Sequence, residues 1–122
     1  MKLHFSGPTG LNTFTGYGED FVLVNGERHA SSLIVLAERI LPWAVADFAS
    51  LDESHFEALA ALPLEVVLLG TGRTLRFPHP RITRALAAAR IGVEVMDLQA
   101  ACRTYNILAA EERIVAAALL FA

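Results

Sequence analysis

The fold of this chain is decided by residues 65–72, which read EVVLLGTG. Four consecutive apolar residues without polar alternation are typical of a strand buried on both faces of a sheet. Gly70, Thr71 and Gly72 then end this strand at the place where α/β folds commonly form a ligand crevice. Complete phosphate-binding motifs need more glycines and an immediate helix, so the pattern favours a tight turn, with a ligand loop as the alternative.

Helix and strand signals alternate after residue 50. Residues 50–53 fit a capping box and predict a helix that ends before Pro63. A second helix should open at Pro80, and Gly92 is placed to end it in a left-handed conformation. Strands are predicted over 65–69, 74–77, 93–96 and 114–121, the last with a helix as the alternative because of its alanines.

The cleanest helical pattern begins at Asp97, which is placed to cap a third helix. Its apolar stripe consists of Leu98, Ala101, Cys102, Tyr105, Leu108 and Ala109. Such alternation of helices and strands predicts a largely parallel or mixed sheet with helices packed on it.

The first 45 residues are rich in β signals. Asn25-Gly26 is the strongest two-residue hairpin signal, because both positions tolerate a positive φ. The hairpin strands are predicted over 21–24 and 27–30, followed by a strand over 31–36, an interruption at Pro42, and extended structure over 43–45. Residues 6–18 are rich in Gly, Thr, Ser and Asn and are predicted to be irregular.

Length and composition bound the class of protein. The 122 residues predict one domain, 1–122, and 54% hydrophobic against 19% charged residues excludes disorder. A net charge of −3 gives no general basic excess for nucleic acid, so only a local basic patch could bind it. Neither a signal-peptide run nor an apolar segment of membrane-spanning length is present, and we expect a cytoplasmic protein.

Several side chains invite chemical hypotheses. The basic residues between 73 and 84 could hold an anion or an acidic partner, although a solvated surface is favoured: Arg73, Arg76, His79, Arg81 and Arg84. Cys102 invites a nucleophile hypothesis, but its place on an apolar stripe favours an inert buried thiol. The four histidines lack metal-ligand spacing, so no metal and no cofactor are predicted.

Polar residues straddle the predicted end of the third helix. Thr104, Tyr105 and Asn106 are followed by Glu112 and Arg113. They could line a crevice at the sheet edge, or they could simply end the helix, since Asn tolerates the left-handed conformation. The sequence alone favours neither interpretation.

Four of these motifs, at residues 70–72, 92–97, 100–108 and 112–113, resemble a small family of single-domain proteins. That family includes the mitochondrial complex I assembly factor 3 and the adipogenesis-associated Mth-type domain protein. The resemblance covers roughly residues 17–121 and is most specific over 96–108. It implies a three-layer α/β fold with a mixed central sheet, about three helices and an N-terminal β-hairpin addition. It implies no established enzyme activity, and it implies work through protein contacts.

Two functions from different classes follow. The first is a non-enzymatic protein-interaction or assembly factor with a protein partner, for which membrane complexes are candidate clients. Peripheral membrane association and a homodimer are left open. The alternative is a small anionic-ligand site at Gly70–Gly72 and Thr104–Asn106, with Arg113 or Arg73 as the anion clamp. No catalytic residue is predicted, and an enzyme using Cys102 or Asp97 ranks last.

Overall fold

A computed structural model describes residues 10–121 of the chain. Its strands are β1 (Phe14–Tyr17), β2 (Val22–Val24), β3 (Glu27–His29), β4 (Leu33–Val35), β5 (Ile40–Pro42), β6 (Val66–Thr71), β7 (Gly92–Met96) and β8 (Val115–Leu120). Its α-helices are α1 (Ser54–Ala60), α2 (Arg84–Ala88) and α3 (Leu98–Ala110), and short 3-10 turns span Phe48–Ser50 and Pro80–Thr83.

The central sheet has five strands in the order β5-β4-β8-β6-β7. Strand β6 runs parallel to both β7 and β8, whereas β4 runs antiparallel to β5 and β8. The sheet is therefore mixed, as expected. β8 is a strand rather than a helix, and it lies in the middle of the sheet.

Side chains of the buried strands alternate between two apolar cores. Val66 and Leu68 face a core shared with α3 and the small sheet β1-β2-β3, while Val67 and Leu69 face one shared with α1 and α2. Because both faces of the sheet are covered, its inner strands need apolar residues at successive positions. The three-layer α/β prediction is thus confirmed.

The N-terminal half confirms the hairpin and corrects its surroundings. Asn25 and Gly26 both have positive φ, 52° and 82°, between the antiparallel strands β2 and β3. The prediction of irregular structure is wrong for β1, which pairs with β2, while residues 6–9 lie outside the described part. Pro42 ends the edge strand β5 instead of interrupting structure, because an edge position needs no second ladder bond.

The predicted starts of the first two helices are corrected as well. The capping box is wrong, because Ser50 closes a 3-10 turn by donating its backbone N–H to Asp47 Oδ1 at 2.9 Å. α1 starts later, where Asp52 Oδ1 accepts the backbone N–H of Ser54 at 2.9 Å. Pro80 opens a 3-10 turn that leads into α2 rather than the α-helix itself.

The connection from α2 to β7 contains a further correction. Gly92 does not end the helix; it is the first residue of β7. The left-handed position is taken by Arg90, with a φ of 60°. Residues 43–45 and 74–77 form no strand either. Asp97 does cap α3, since its Oδ1 accepts the backbone N–H of Ala100 at 2.8 Å.

Candidate functional site

Asn106 lies inside α3 and is buried against β1. Its Oδ1 accepts the backbone N–H of Phe14 at 2.9 Å, and its Nδ2 donates to the backbone carbonyl of Phe14 at 2.7 Å. Of the two interpretations that the sequence left open, the one in which Asn106 ends the helix is wrong, because α3 continues to Ala110. With its amide committed on both sides, Asn106 joins the small sheet to the helix.

Residues 70–72 have three different structural roles at the other end of α3. A Cβ on Gly70 would lie 3.1 Å from the Cβ of Ala101 in α3, so its absence lets α3 pack closely on the sheet. The Thr71 hydroxyl donates to the carbonyl of Thr74 at 2.7 Å and accepts the backbone N–H of Arg76 at 3.1 Å. Gly72 has a φ of 83°, and its carbonyl accepts the N–H of Leu98 at 2.8 Å.

Arg113 lies beyond the C-terminal end of α3. Its Nε donates to Glu65 Oε1 at 3.0 Å, and Glu65 Oε2 accepts the backbone N–H of Ile114 at 2.7 Å. The bond from Ile114, followed by that from Arg113, lowers the pKa of Glu65 below its ordinary value. Arg113 therefore ties the start of β6 to the start of β8.

The predicted ligand residues are spread along the whole length of α3. Gly72 contacts the first residue of the helix, Thr104 is half-buried along it, and Arg113 follows its last turn. A helix of 13 residues is about 20 Å long. A small anion bound at Gly72 could therefore not also contact Arg113. Anion binding at either end of α3 stays a prediction.

Cys102 is fully buried among apolar residues of α3 and the sheet. Burial raises the pKa of its thiol to about 12. A thiol that stays protonated at neutral pH is a poor nucleophile, so the geometry supports the inert interpretation. Among residues 10–121 no group of three His, Cys, Asp or Glu side chains is arranged to hold a metal ion. In the same range no helix has the length and apolarity needed to cross a bilayer.

The segment that follows Gly72 displays apolar side chains to solvent. We call residues 73–79 the arginine loop. Leu75 and Phe77 are 47% and 71% exposed, whereas Arg76 between them turns inward. The Arg76 guanidinium carbon lies 4.7 Å from the centre of the Phe48 ring, and its Nη2 donates to the carbonyl of Thr71 at 3.3 Å. The usual pattern of apolar side chains inside and charges outside is thus reversed.

Charge is unevenly distributed around this loop. Residues 66–93 contain five of the ten basic residues and none of the thirteen acidic ones. Arg73, Arg81 and Arg84 are exposed, and the ion pair of Arg73 with Glu19, at 3.6 Å, joins two exposed side chains and contributes little. His79 Nδ1 accepts the backbone N–H of Arg81 at 3.1 Å and so starts the following turn. The arginine loop and the turn and helix start that follow it therefore form a positively charged segment with two exposed apolar side chains.

Comparison with known proteins identifies relatives of the whole domain. A family model described as "Protein of unknown function (DUF498/DUF598)" matches residues 14–120. NADH dehydrogenase (ubiquinone) 1 alpha subcomplex assembly factor 3 of Bos taurus is 32% identical over 106 residues, which are 85% of this chain and 58% of that protein. The chain thus spans just over half the length of this curated relative.

Solved structures share the fold along nearly all of their length. The crystal structure of a Bordetella parapertussis protein is 41% identical, with a TM-score of 0.87, and the match covers 93% of this chain and 98% of that one. The solution structure of a Bordetella pertussis protein described as a Mth938-like domain is 37% identical, with a TM-score of 0.79, covering 98% of this chain and 92% of that one. These matches confirm the resemblance drawn from the sequence motifs.

Proposed function

The chain belongs to the DUF498/DUF598 family of proteins of unknown function, and from that premise we propose that it is a non-enzymatic assembly factor that docks on a partner protein through the arginine loop. The observation that carries the proposal is the exposure of Phe77, 71%, beside an inward-turned arginine. The Bos taurus relative is named an assembly factor, which supports this class of function. As clients we propose membrane complexes, by extension from that relative's name.

The arginine loop has the physical properties of an interaction surface. Exposing Phe77 and Leu75 forgoes part of the roughly 1.5–3 kcal/mol that full burial of each side chain would contribute, and binding can recover that part. The contacts of Arg76 with Thr71 and Phe48 hold the loop in place before binding. A loop fixed in advance loses less conformational entropy when it binds, so more of the contact energy appears as affinity.

The charge of the loop indicates what its partner looks like. Arg73, Arg81 and Arg84 are exposed and lie within seven positions of Phe77 in the sequence, so they add positive charge to this part of the chain. The complementary surface is an apolar pocket with an acidic rim, since opposite potentials favour encounter and register. An anionic lipid surface carries negative charge, as the acidic rim of a protein pocket does. We treat binding to lipid as an outcome of the test rather than as the proposal.

The test compares single substitutions of two apolar residues that are both more than half exposed. Phe77→Ser should reduce capture of the native partner by about 30-fold, the effect of removing a hot spot of about 2 kcal/mol. Ile107→Ser is the matched control, because Ile107 is 60% exposed on α3, outside the loop, and its substitution should leave capture unchanged. Quantitative affinity capture from the native cells, followed by a purified binding titration, measures both.

Two results would contradict the proposed docking. Equal loss with both variants would indicate a general effect of surface apolarity. Binding of the isolated protein to vesicles of phosphatidylglycerol, lost with Phe77→Ser and absent with phosphatidylcholine, would replace the protein partner by a lipid surface.

A homodimer and peripheral membrane association stay proposals. The edge strands of the five-stranded sheet are β5 and β7, so a second copy that extended this sheet would have to pair with one of these two. Sedimentation velocity of the wild-type protein at several concentrations tests the dimer directly.

A further inference from the structure

A pocket of about 520 Å³ lies at the end of β6 opposite the arginine loop, and we call it the amino-end pocket. Its walls are mainly aliphatic, and they come from segments far apart in the sequence: Leu11, Leu36, Leu62, Leu64, Ala109 and Val115. Pockets of 300–1,000 Å³ with apolar walls and few polar groups are typical of small-molecule sites.

Tyr105 is one of the polar residues in the wall of this pocket, which also include Asn12 and Thr13. The Asn12 amide already has partners, since its Nδ2 donates to the carbonyl of Leu36 at 2.8 Å and its Oδ1 accepts from Asn25 Nδ2 at 2.8 Å.

The ring of Tyr105 packs edge-on against Phe14, with centroids 5.1 Å apart, so it is held firmly. Its hydroxyl is buried, yet among the described residues it has no hydrogen-bond partner. A buried hydroxyl without a partner costs about 1–3 kcal/mol, which makes its occurrence beside a pocket informative. Burial also raises its pKa to about 12, so the hydroxyl remains a neutral donor.

The charged residues of the pocket lining disfavour an anionic ligand. They are Glu38, Arg39, Glu112 and Arg113, and Arg113 is already paired with Glu65. Arg39 is the one basic residue of the lining left without that pairing, and it stands against two acidic ones. The interior has no charge to compensate a buried ionic group, which would be costly to desolvate.

We propose that the amino-end pocket binds a neutral, largely apolar small molecule whose carbonyl oxygen accepts a hydrogen bond from the hydroxyl of Tyr105. The walls supply most of the affinity by apolar burial, and the hydroxyl selects molecules with an acceptor at the matching place. This site is independent of the proposed docking function, because it lies at the other end of the sheet.

Three probes with one ring skeleton test the proposal: 2-acetylnaphthalene, 2-ethylnaphthalene and 2-naphthoate. Binding is measured from residue-resolved amide shifts in NMR titrations. The wild-type protein should bind the ketone about five-fold more tightly than the hydrocarbon, the worth of one hydrogen bond, and the anion most weakly. Shifts should concentrate around Leu36, Ala109 and Ile114, which line the pocket.

Variants distinguish the contribution of the Tyr105 hydroxyl to binding from that of the apolar cavity. Tyr105→Phe should abolish the preference for the ketone while leaving hydrocarbon binding unchanged. Ala109→Phe should fill the pocket and weaken both neutral probes at least about ten-fold, as loss of most of the apolar burial predicts. Ala110→Phe is the matched control, since Ala110 is exposed and does not line the pocket.

The proposal is overturned if the ketone preference survives Tyr105→Phe, if 2-naphthoate binds most tightly, or if no shift appears up to the solubility limit of the probes. Shifts confined to the arginine loop would overturn it as well. Phe77→Ser should leave all three affinities unchanged, so failure at this site and failure of the docking proposal can be told apart.

Discussion

At the scale of single residues, Asn106 shows how one side chain can connect two layers. Its amide replaces a strand partner for Phe14, taking both the backbone N–H and the carbonyl of that residue. Buried backbone groups that lose their partners are costly, because water cannot reach them. The attachment of β1 to α3 therefore includes one polar group within an apolar core.

We expect Asn106→Ala to lower the free energy of unfolding by about 3 kcal/mol, because two buried backbone groups of Phe14 lose their partners. Urea denaturation followed by circular dichroism measures the loss. Thr104→Ala is the control on the same helix: its half-buried side chain makes no described hydrogen bond, and we expect a change within about 0.5 kcal/mol. Equal stability of the two variants would show that the Asn106 amide is dispensable.

The sequence contained a signal that Asn106 is buried, and the interpretation of Asn106 as a helix end did not use it. Cys102, Tyr105, Asn106 and Ala109 follow the i, i+3, i+4, i+7 spacing of a buried stripe. A polar residue on such a stripe is a candidate for a buried hydrogen bond. The partner was not predictable, because Phe14 lies 92 residues away in a segment that reads as irregular.

At the scale of elements, backbone conformation distinguishes Gly72 from Gly92, although the sequence pattern predicts the end of an element at both positions. Gly72 has a positive φ and an added Cβ there would lie 3.5 Å from the backbone of Phe121. Gly92 lies in β7, and an added Cβ there meets no atom closer than 3.6 Å. Only the first position needs a glycine.

Gly72→Ala should therefore lower the free energy of unfolding by about 1–2 kcal/mol, whereas Gly92→Ala should raise it by about 0.5 kcal/mol by restricting the unfolded chain. Thermal and urea unfolding of the two variants, run side by side, measures the difference. If Gly92→Ala were the more damaging change, the left-handed residue would be at position 92, where the sequence pattern placed it.

Three features set by local chemistry were predictable from the sequence. The apolar run of β6, the Asn25-Gly26 turn and the Asp97 cap act through neighbours in sequence, and the structure shows all three. The arginine loop was predicted as a strand, because the alternation around Arg76 fits one. The inward orientation of Arg76 depends on contacts with the Thr71 hydroxyl and the Phe48 ring. The spacing of apolar residues in the sequence does not indicate either contact.

The amino-end pocket was beyond sequence reasoning for a related reason. Its walls combine the start of the described chain, the turn after β4, the segment after α1 and the end of α3. Each segment alone reads as a surface connection. Only the strand order, which the sequence left open, brings them together.

At the scale of the whole molecule, stability is expected to decrease from the centre of the sheet towards its edges. β8 pairs with β4 on one side and β6 on the other and is buried along its whole length. β7 pairs only with β6, and its residues are partly exposed. Local opening should therefore reach β7 and the arginine loop long before β8.

Native-state hydrogen exchange tests this order. Amides of β8 should exchange only through global unfolding, at least about a thousandfold more slowly than the amides of Leu75 and Phe77. The amide of Arg76, bonded to the Thr71 hydroxyl, should be slower than these two neighbours. Uniform protection of the loop and the central strand would contradict this gradient.

The place of β8 also has a consequence for synthesis on the ribosome. Of the eight described strands it is translated last, yet β4 and β6 can join one sheet only after it has come between them. Until then the nascent polypeptide contains two apolar strands, β4 and β6, each with an unpaired edge. Such strands are prone to aggregation with other chains. A molecule that we propose assists the assembly of others would itself be exposed to misassembly until β8 leaves the exit tunnel.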